Sequence, residues 1–254
     1  TCCGGAHPTV EPHSVLSRSQ FDVVAVGEAE RTFVELVGDY ERLGHTDAFF
    51  DTLRRPGFCL RDSRTGKAVN HGKAFNDCTL DELALPDRGL VDWSRYTRTL
   101  NGQRCAVLMT SRGCPHQCVF CATEHHERRV RFHSPEYVIR ELDSIKRAVN
   151  TNHVLFLDDT LTLNRSRMVR LCELIIEHHP DLIWRGWTRA DAVDQGLLHL
   201  MRKSGCYALC YGVESGNARM LRRIRKGTTV AMNRPAIEMT KPAGIKCRER
   251  KSDL

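Results

Sequence analysis

The sequence predicts an α/β protein built around a parallel sheet. From Cys105 onward, short apolar runs alternate with stretches of helical periodicity, as in strands joined by crossover helices. The 254 residues suffice for one large domain or two small ones with real cores. Hydrophobic residues make up 41% and charged residues 27%, which is typical of a globular protein. No apolar run approaches the ~18 residues that suggest a membrane span.

The amino-terminal region predicts the end of a separate α/β domain. The apolar run 21–26 predicts a buried strand, and residues 31–37 predict a helix that stops at Gly38. Because one strand and one helix cannot form a sheet alone, residues 1–43 are interpreted as the last unit of a domain.

The next segment, residues 44–104, is weakly periodic and is interpreted as a structured linker. Residues 57–61 and 67–69 flank a turn-rich stretch and predict a hairpin within it.

The regular strand–helix alternation then fills residues 105–254. Ser134 followed by Pro135 predicts the start of a helix. A final helix is predicted before residue 243, and a fifth strand begins at 243–246. The four preceding strands are predicted near residues 106–110, 154–157, 182–187 and 208–211.

Polar residues follow all four of these strands. The carboxyl ends of parallel strands lie at one edge of a sheet, and chemistry in β/α barrels is found there. We therefore expect one site that contains Cys114, Cys118, Cys121, Asp158, Asp159, Arg189, Asp191, Glu214 and Ser215.

The three cysteines lie within eight residues, with three residues between the first pair and two between the second. A four-iron cluster normally takes four cysteine ligands, so a loop with three leaves one iron open. The alternative is a structural zinc site with His116, His125 or His126 as a fourth ligand. Zinc ligands usually come as two pairs, and no second Cys-x-x-Cys follows, so iron–sulfur is favoured.

Twelve cysteines in a long, helix-rich chain indicate reduced thiols and a cytoplasmic protein rather than a disulfide scaffold. The net charge of +7 comes from residues 203–254, which hold 12 basic and 4 acidic residues. Residues 222–226 are interpreted mostly as a solvated helix face, so a nucleic-acid partner is not expected.

These motifs together resemble cobalamin-dependent radical S-adenosylmethionine (SAM) enzymes. Residues 4–9 and 22–28 resemble the end of a cobalamin-binding, Rossmann-like domain in that family. The remaining markers are LDELALPDR (80–88), TSRGCP (110–115), FLDD (156–159), RAD (189–191) and YGVESG (211–216).

The resemblance implies a set of cofactor contacts. Cys114, Cys118 and Cys121 would hold three irons of a 4Fe–4S cluster, and SAM would chelate the fourth. Phe120 would lie near the adenine, and Gly4 and Gly5 near the nucleotide tail of cobalamin. SAM contacts are also expected from Asp158, Asp159, Arg189, Asp191, Glu214 and Ser215.

The resemblance also implies a fold and an activity. The family barrel has six β/α units, so the chain is expected to be a fragment truncated at both ends, stopping as strand five begins. The expected reaction is reductive cleavage of SAM to a 5′-deoxyadenosyl radical. It would serve cobalamin-dependent C-methylation or ring formation on a small or lipid-like metabolite, with a flavodoxin or ferredoxin as electron donor.

Two other interpretations stay open at this point. One is a radical SAM tRNA methylthiotransferase, which would carry a second cluster and an RNA-binding tail. The other is a non-catalytic zinc or iron–sulfur binding module.

Overall fold

The computed structural model describes residues 1–62, 64–74, 79–121 and 129–251. The chain folds as two compact units, one formed mainly by residues 1–78 and the other mainly by residues 79–254. Within the described ranges, no helix is both long enough and apolar enough to cross a membrane.

The first unit is a four-stranded sheet with helices. Its strands are β1 (Cys2–Cys3), β2 (Val23–Ala25), β3 (Phe58–Arg61) and β4 (Ala68–Asn70), and they lie in that order. β1 and β2 are parallel, whereas β3 is antiparallel to both β2 and β4. The predicted hairpin is thereby confirmed. The helices of this unit are α1 (Ala6–Val10), α2 (Pro12–Arg18), α3 (Glu30–Leu43) and α4 (Asp47–Thr52).

Helix α3 does not stop at Gly38, so that prediction was wrong. The helix continues to Leu43 and ends at Gly44, which has a φ of 64°. A glycine inside a helix costs only about 1 kcal/mol. Packing of Leu43 against the first unit's core, around Phe49 and Leu53, offsets that cost.

The compact units divide between residues 78 and 79, whereas the sequence placed boundaries after residues 43 and 104. The hairpin therefore belongs to the sheet of the first unit, because β3 pairs along β2. Residues 79–104 belong to the second unit, where Arg88 forms a buried ion pair with Glu141.

The second unit is built on a five-stranded parallel sheet, and the four predicted strands are confirmed. The strands of the whole second unit are β5 (Thr99–Leu100), β6 (Gln103–Arg104), β7 (Ala106–Leu108), β8 (Ser111–Arg112), β9 (Arg131–Phe132), β10 (His153–Phe156), β11 (Ile183–Thr188), β12 (Cys206–Glu214) and β13 (Lys246–Lys251). The five-stranded sheet has the order β7, β10, β11, β12, β13.

The helices of the second unit pack on one face of this sheet. Between sheet and helices lies a core that includes Phe156, Trp184 and Tyr211, each fully buried. The helices are α5 (Pro135–Val149), α6 (Arg165–His178), α7 (Gln195–Lys203), α8 (Ala218–Arg223) and α9 (Val230–Thr240).

Helix starts follow from capping chemistry. The Ser134 side chain accepts a hydrogen bond from Tyr137 N at 3.1 Å, with Pro135 in the first turn, which confirms the predicted cap. Asn164, Asp194 and Thr229 cap α6, α7 and α9 in the same way.

The single helix predicted before residue 243 is instead two helices, α8 and α9. Arg225 and Gly227, with φ of 52° and 78°, interrupt the helical path between them. Strand β13 also extends further than its composition indicated, since residues 248–251 are all charged. The edge of β12 supplies backbone partners from Ala208 to Glu214, and backbone pairing does not require apolar side chains.

Candidate functional site

The cysteine loop follows β7 and carries all three predicted ligands. Cys118 is buried, while Cys114 and Cys121 are half-buried. Cys121 N donates to Cys118 O at 3.0 Å, and Val119 N donates to Ile224 O at 3.1 Å. These two bonds shape the loop and tie it to the end of α8.

The three thiols lie within electrostatic range of one another. Burial raises the pKa of Cys114 most, and the charges of Asp159, Cys121 and Cys118 raise it further. Burial also raises the pKa of Cys118, whereas the cations Lys226 and Arg189 oppose that rise. Thiolates are metal ligands, and these cations favour the thiolate form.

The donor set fits an iron–sulfur cluster in its chemistry. Three thiols on one loop are the ligand type that such clusters take, and they would leave one iron without a protein ligand. In the described part of the chain, however, no three His, Cys, Asp or Glu side chains are already arranged to hold a metal ion.

His116, the described candidate for a fourth zinc ligand, lies beside the same cations. Burial lowers its pKa, and the charges of Arg189 and Lys226 lower it further. Its Nε2 is buried, with no hydrogen-bond partner among the described residues. His125 and His126 lie outside the described residues.

Asp158 holds the start of the cysteine loop against the end of β10. It is 1% exposed and accepts from Thr110 N at 3.1 Å, from Thr110 Oγ1 at 2.7 Å and from Ser111 Oγ. Burial raises its pKa, and these hydrogen bonds oppose the rise. Its carboxylate therefore has a structural task that the sequence did not predict. Its neighbour Asp159 is exposed, and its charge acts on Cys114.

Arg189 links the end of β11 to the segment after α8. Its Nε and Nη2 donate to the two carboxylate oxygens of Asp191 at 2.9 and 2.7 Å. Its Nη1 donates to Lys226 O at 2.8 Å. Burial works to raise the pKa of Asp191, but the hydrogen bond and charge of Arg189 outweigh it, so the pKa is lowered. The lowered pKa keeps Asp191 ionised at neutral pH.

Glu214 forms a buried ion pair that sequence reasoning missed. Its Oε1 accepts from Lys226 Nζ at 3.0 Å, and the two side chains are 6% and 9% exposed. Gly212 makes room for the pair, since a Cβ there would lie 2.7 Å from Lys226 Nζ and 2.9 Å from Glu214 Oε1.

The interpretation of residues 222–226 as mostly a solvated helix face is therefore wrong for Lys226, although the arginines agree with it. Arg222, Arg223 and Arg225 are exposed, but Lys226 is 7% exposed and points into the site. The spacing of neighbouring residues did not predict the burial of Lys226, because its partner Glu214 lies twelve residues earlier.

Two further predicted residues lie beside this ion pair. The ring of Phe120 is 39% exposed, and its centroid lies 5.8 Å from Lys226 Nζ, a cation–π distance. Ser215 accepts from Asn217 N at 3.1 Å.

A cavity of about 330 Å³ adjoins Ser215 and Gly216 at the end of β12. Asn233, which is 3% exposed, lines it, and both polar atoms of its amide lack partners within the described structure. The sequence did not predict a role for the Asn233 amide, because the packing of α9 is what places it beside the end of β12.

Gly4 and Gly5 lie in the first unit, between β1 and α1. Gly5 has a φ of 111°, a conformation that favours glycine, and a Cβ on it would meet no atom within 4 Å. Gly4 lies close to Ala25, since a Cβ on it would be 3.3 Å from that residue's Cβ.

Residues 108–250, which contain the cysteine loop and every strand-end residue above, match the family model of the radical SAM superfamily. The chain belongs to the radical SAM superfamily.

Curated relatives of this radical SAM chain include an uncharacterised methyltransferase, PH0819, of Pyrococcus horikoshii. It is 31% identical over 95% of this chain and 51% of its own length. The anaerobic magnesium-protoporphyrin IX monomethyl ester cyclase of Cereibacter sphaeroides is 31% identical over 95% of this chain and 39% of its own length. The chain thus spans about half or less of these relatives.

Two solved radical SAM structures show the same fold over 98% of the chain. The cobalamin-dependent enzyme OxsB, solved with aqua-cobalamin and SAM bound, has a TM-score of 0.80 at 23% identity and is covered over 35% of its length. The methyltransferase TsrM from Kitasatospora setae, solved with cobalamin and a [4Fe–4S] cluster, has a TM-score of 0.74 at 17% identity and is covered over 49%.

Proposed function

We propose that this chain is part of a cobalamin-dependent radical SAM enzyme that methylates carbon or closes a ring on a small or lipid-like metabolite. The observation that carries the proposal is the meeting of a three-thiol loop with two buried cations, Lys226 and Arg189, at the strand ends. A structural metal site needs no such additional charged residues.

In this proposal Cys114, Cys118 and Cys121 hold a 4Fe–4S cluster. The cluster and SAM, when bound, supply the electron and the carbon-centred radical that the reaction needs. The positive charges of Lys226 and Arg189 oppose the rise that burial causes in the pKa of Cys118, and so favour its thiolate form.

The other strand-end residues bind SAM in the proposal. Asp159, an exposed carboxylate whose charge acts on Cys114, is assigned to the methionine amine. The buried Asp158 accepts from Thr110 and Ser111. Glu214 and Ser215 are assigned to the ribose hydroxyls, and Ser215 lines the cavity at the end of β12. Phe120 packs near the adenine, and Arg189 fixes Asp191 and the Lys226 segment in place.

In the proposal, the first unit binds cobalamin. Gly4 and Gly5 precede α1 and present backbone without side chains. OxsB and TsrM were both solved with cobalamin, which supports the assignment. A flavodoxin or ferredoxin is proposed as the electron donor.

The test is anaerobic reconstitution with iron and sulfide, followed by iron analysis and EPR of the reduced protein with and without SAM. We expect about four irons per chain and a spectrum that SAM changes. Changing Cys114, Cys118 and Cys121 to Ala should abolish both signals. The matched control changes three other half-buried thiols, Cys2, Cys3 and Cys247, to Ala and should keep them. Stoichiometric zinc without iron would refute the proposal and favour a structural metal module.

A further inference from the structure

The parallel sheet of the second unit has one face turned away from the helices. Along β10 and β11, Phe156 and Trp184 pack into the helix-side core, while Leu155 and Arg185 do not. Leu155 pairs with Arg185, Arg185 with Ala208, and Ala208 with Lys246. Because paired residues of parallel strands share a face, we define the inner face by Val107, Leu155, Ile183, Arg185, Trp187, Ala208, Cys210, Lys246 and Arg248.

Arg185 is a half-buried cation in the middle of this inner face. Its guanidinium carbon lies 4.9 Å from the centroid of the Trp187 ring. Its Nε is buried and has no hydrogen-bond partner among the described residues, and no described carboxylate forms an ion pair with it. Stacking on an aromatic ring does not satisfy the N–H donors of the guanidinium.

The charges that surround Arg185 on the inner face are positive. The positive charges of Arg185 and Arg248 lower the pKa of Cys210 against the larger effect of burial, which raises it. Lys246 lies on the same face and donates to Tyr207 Oη at 2.5 Å. The acidic residue nearest this face is Glu214 at the end of β12, and Lys226 pairs with it. The remaining charges on the face are positive, so the face attracts anions.

The position of Arg185 relates it to the candidate site. Arg185 and Trp187 occupy every second position of β11. Arg189 follows the strand's last residue and donates to the Lys226 backbone. At ~3.3 Å per residue, the Arg185 and Arg189 backbones lie about 13 Å apart. A molecule held at Arg185 can therefore extend past Trp187 to the strand ends.

We propose that the inner face binds the substrate through an anionic group, a carboxylate or a phosphate, that pairs with Arg185. The planar guanidinium offers parallel N–H donors that match either anion in a two-point hydrogen bond. Trp187 packs against the body of the substrate. The assignment of this ligand as the substrate rests on the proposed function.

The test compares small probes by titration calorimetry at low salt. The probes are 3-phenylpropionate, phenyl phosphate and the neutral 3-phenylpropanol. We expect saturable binding of at least one anion, and roughly tenfold or more weaker binding of the alcohol. Tighter binding of 3-phenylpropionate would identify a carboxylic acid, and tighter binding of phenyl phosphate a phosphate ester.

Three variants test whether anion binding depends on the guanidinium of Arg185 in particular. Arg185→Gln should weaken anion binding roughly tenfold or more, and Arg185→Lys less, since lysine keeps the charge but loses the two-point geometry. The matched control Arg219→Gln, on exposed helix α8, should bind like wild type. Equal anion affinity in wild type and Arg185→Gln, or no saturable anion binding by wild type, would overturn the proposal.

The same variants keep this proposal distinct from the proposed function. Arg185→Gln should still take up about four irons and show the SAM-dependent EPR change. If wild type assembles no cluster yet selects anions through Arg185, the proposed function fails and the anion site stands.

Discussion

Lys226 and Glu214 are two opposite charges held almost completely away from water. Taking such charges out of water is costly, and their attraction repays the cost only while both partners are present. Gly212 is the residue that permits this arrangement, because any side chain there would occupy the space between the two charges. The pair consequently depends on three positions that are not adjacent in the sequence.

Replacing Lys226 by Met should lower the free energy of unfolding by about 3–5 kcal/mol, since Glu214 would be left as an unpaired buried carboxylate. Equilibrium unfolding in urea measures this change. The double variant Glu214→Gln, Lys226→Met should recover much of the loss, because no unpaired charge remains. Arg223→Met, at an exposed position on α8, is the control and should change stability little. Equal losses in the double and single variants would contradict the explanation.

The residues of the candidate site were predictable in part. The cysteine spacing and the polar residues after each strand are visible in sequence because parallel strands end at one edge. The partners of those residues were not predictable. Asp158 binds Thr110 and Ser111 across 48 and 47 positions, and Arg189 reaches the Lys226 backbone across 37. Such pairings depend on how the strands are ordered in the sheet.

Among the elements, Asp194 connects two neighbouring helices. Its side chain caps α7 by accepting from Leu197 N at 2.9 Å, and it pairs with Arg165 in the first turn of α6, with a contact of 2.6 Å. The hydrogen bond from Arg165, followed by that from Leu197, lowers the pKa of Asp194 to about 2. One carboxylate therefore serves as a cap and as an ion-pair partner.

The two contributions of Asp194 can be separated by substitution and pH. Asp194→Ala should lower the free energy of unfolding by about 1 kcal/mol through loss of the cap. Asp194→Asn keeps a capping oxygen, so it should lose only the exposed charge pair, worth about 0–1 kcal/mol. The folded pKa lies below the unfolded value of about 3.9, so the charge stabilises fully above that value.

The stability difference between wild type and Asp194→Asn should therefore shrink as the pH falls from about 4 to 2. Urea unfolding at several pH values across that window measures it. Arg165→Ala, which removes the ion-pair partner and leaves the cap, should reproduce the Asn variant. A difference that stays constant across the window would show that the charge of Asp194 does not contribute.

Elements were more predictable than their ends. Strands β7 and β10 are apolar runs, and β10 is buried along its whole length, which explains why it is visible in the sequence. Strand β11 instead alternates buried and half-buried residues. Helix α3 passes through Gly38 because core packing outweighs one unfavourable residue. Strand β13 forms along β12 by backbone pairing, which side-chain composition does not report. The end of α3 and the extent of β13 therefore both depend on tertiary contacts.

At the scale of the whole molecule, each of the two units has a main hydrophobic core of its own. Phe49, Leu53 and Phe58 belong to a core in the first unit. Leu171 and Trp184 belong to the core of the second unit. The sequence predicted two α/β parts, but not that the hairpin after α4 would complete the first sheet. The sequence did not predict it because β3 pairs with β2, a strand far from it in the chain.

Two cores predict two unfolding transitions that respond to different substitutions. Phe58 is fully buried, so Phe58→Ala should destabilise the first unit by about 3–5 kcal/mol. All three tryptophans, Trp93, Trp184 and Trp187, lie in the second unit. Tryptophan fluorescence therefore reports on the second unit, whereas far-UV circular dichroism reports on both.

In urea, Phe58→Ala should shift part of the circular dichroism transition to lower denaturant and leave the fluorescence midpoint unchanged. Leu171→Ala, a matched cavity in the second core, should shift the fluorescence midpoint, because large-to-small changes lower the stability of the core that contains them. If Phe58→Ala moved the fluorescence midpoint as far as it moved the circular dichroism signal, the chain would unfold as one cooperative unit. That result would require the two cores to stabilise each other.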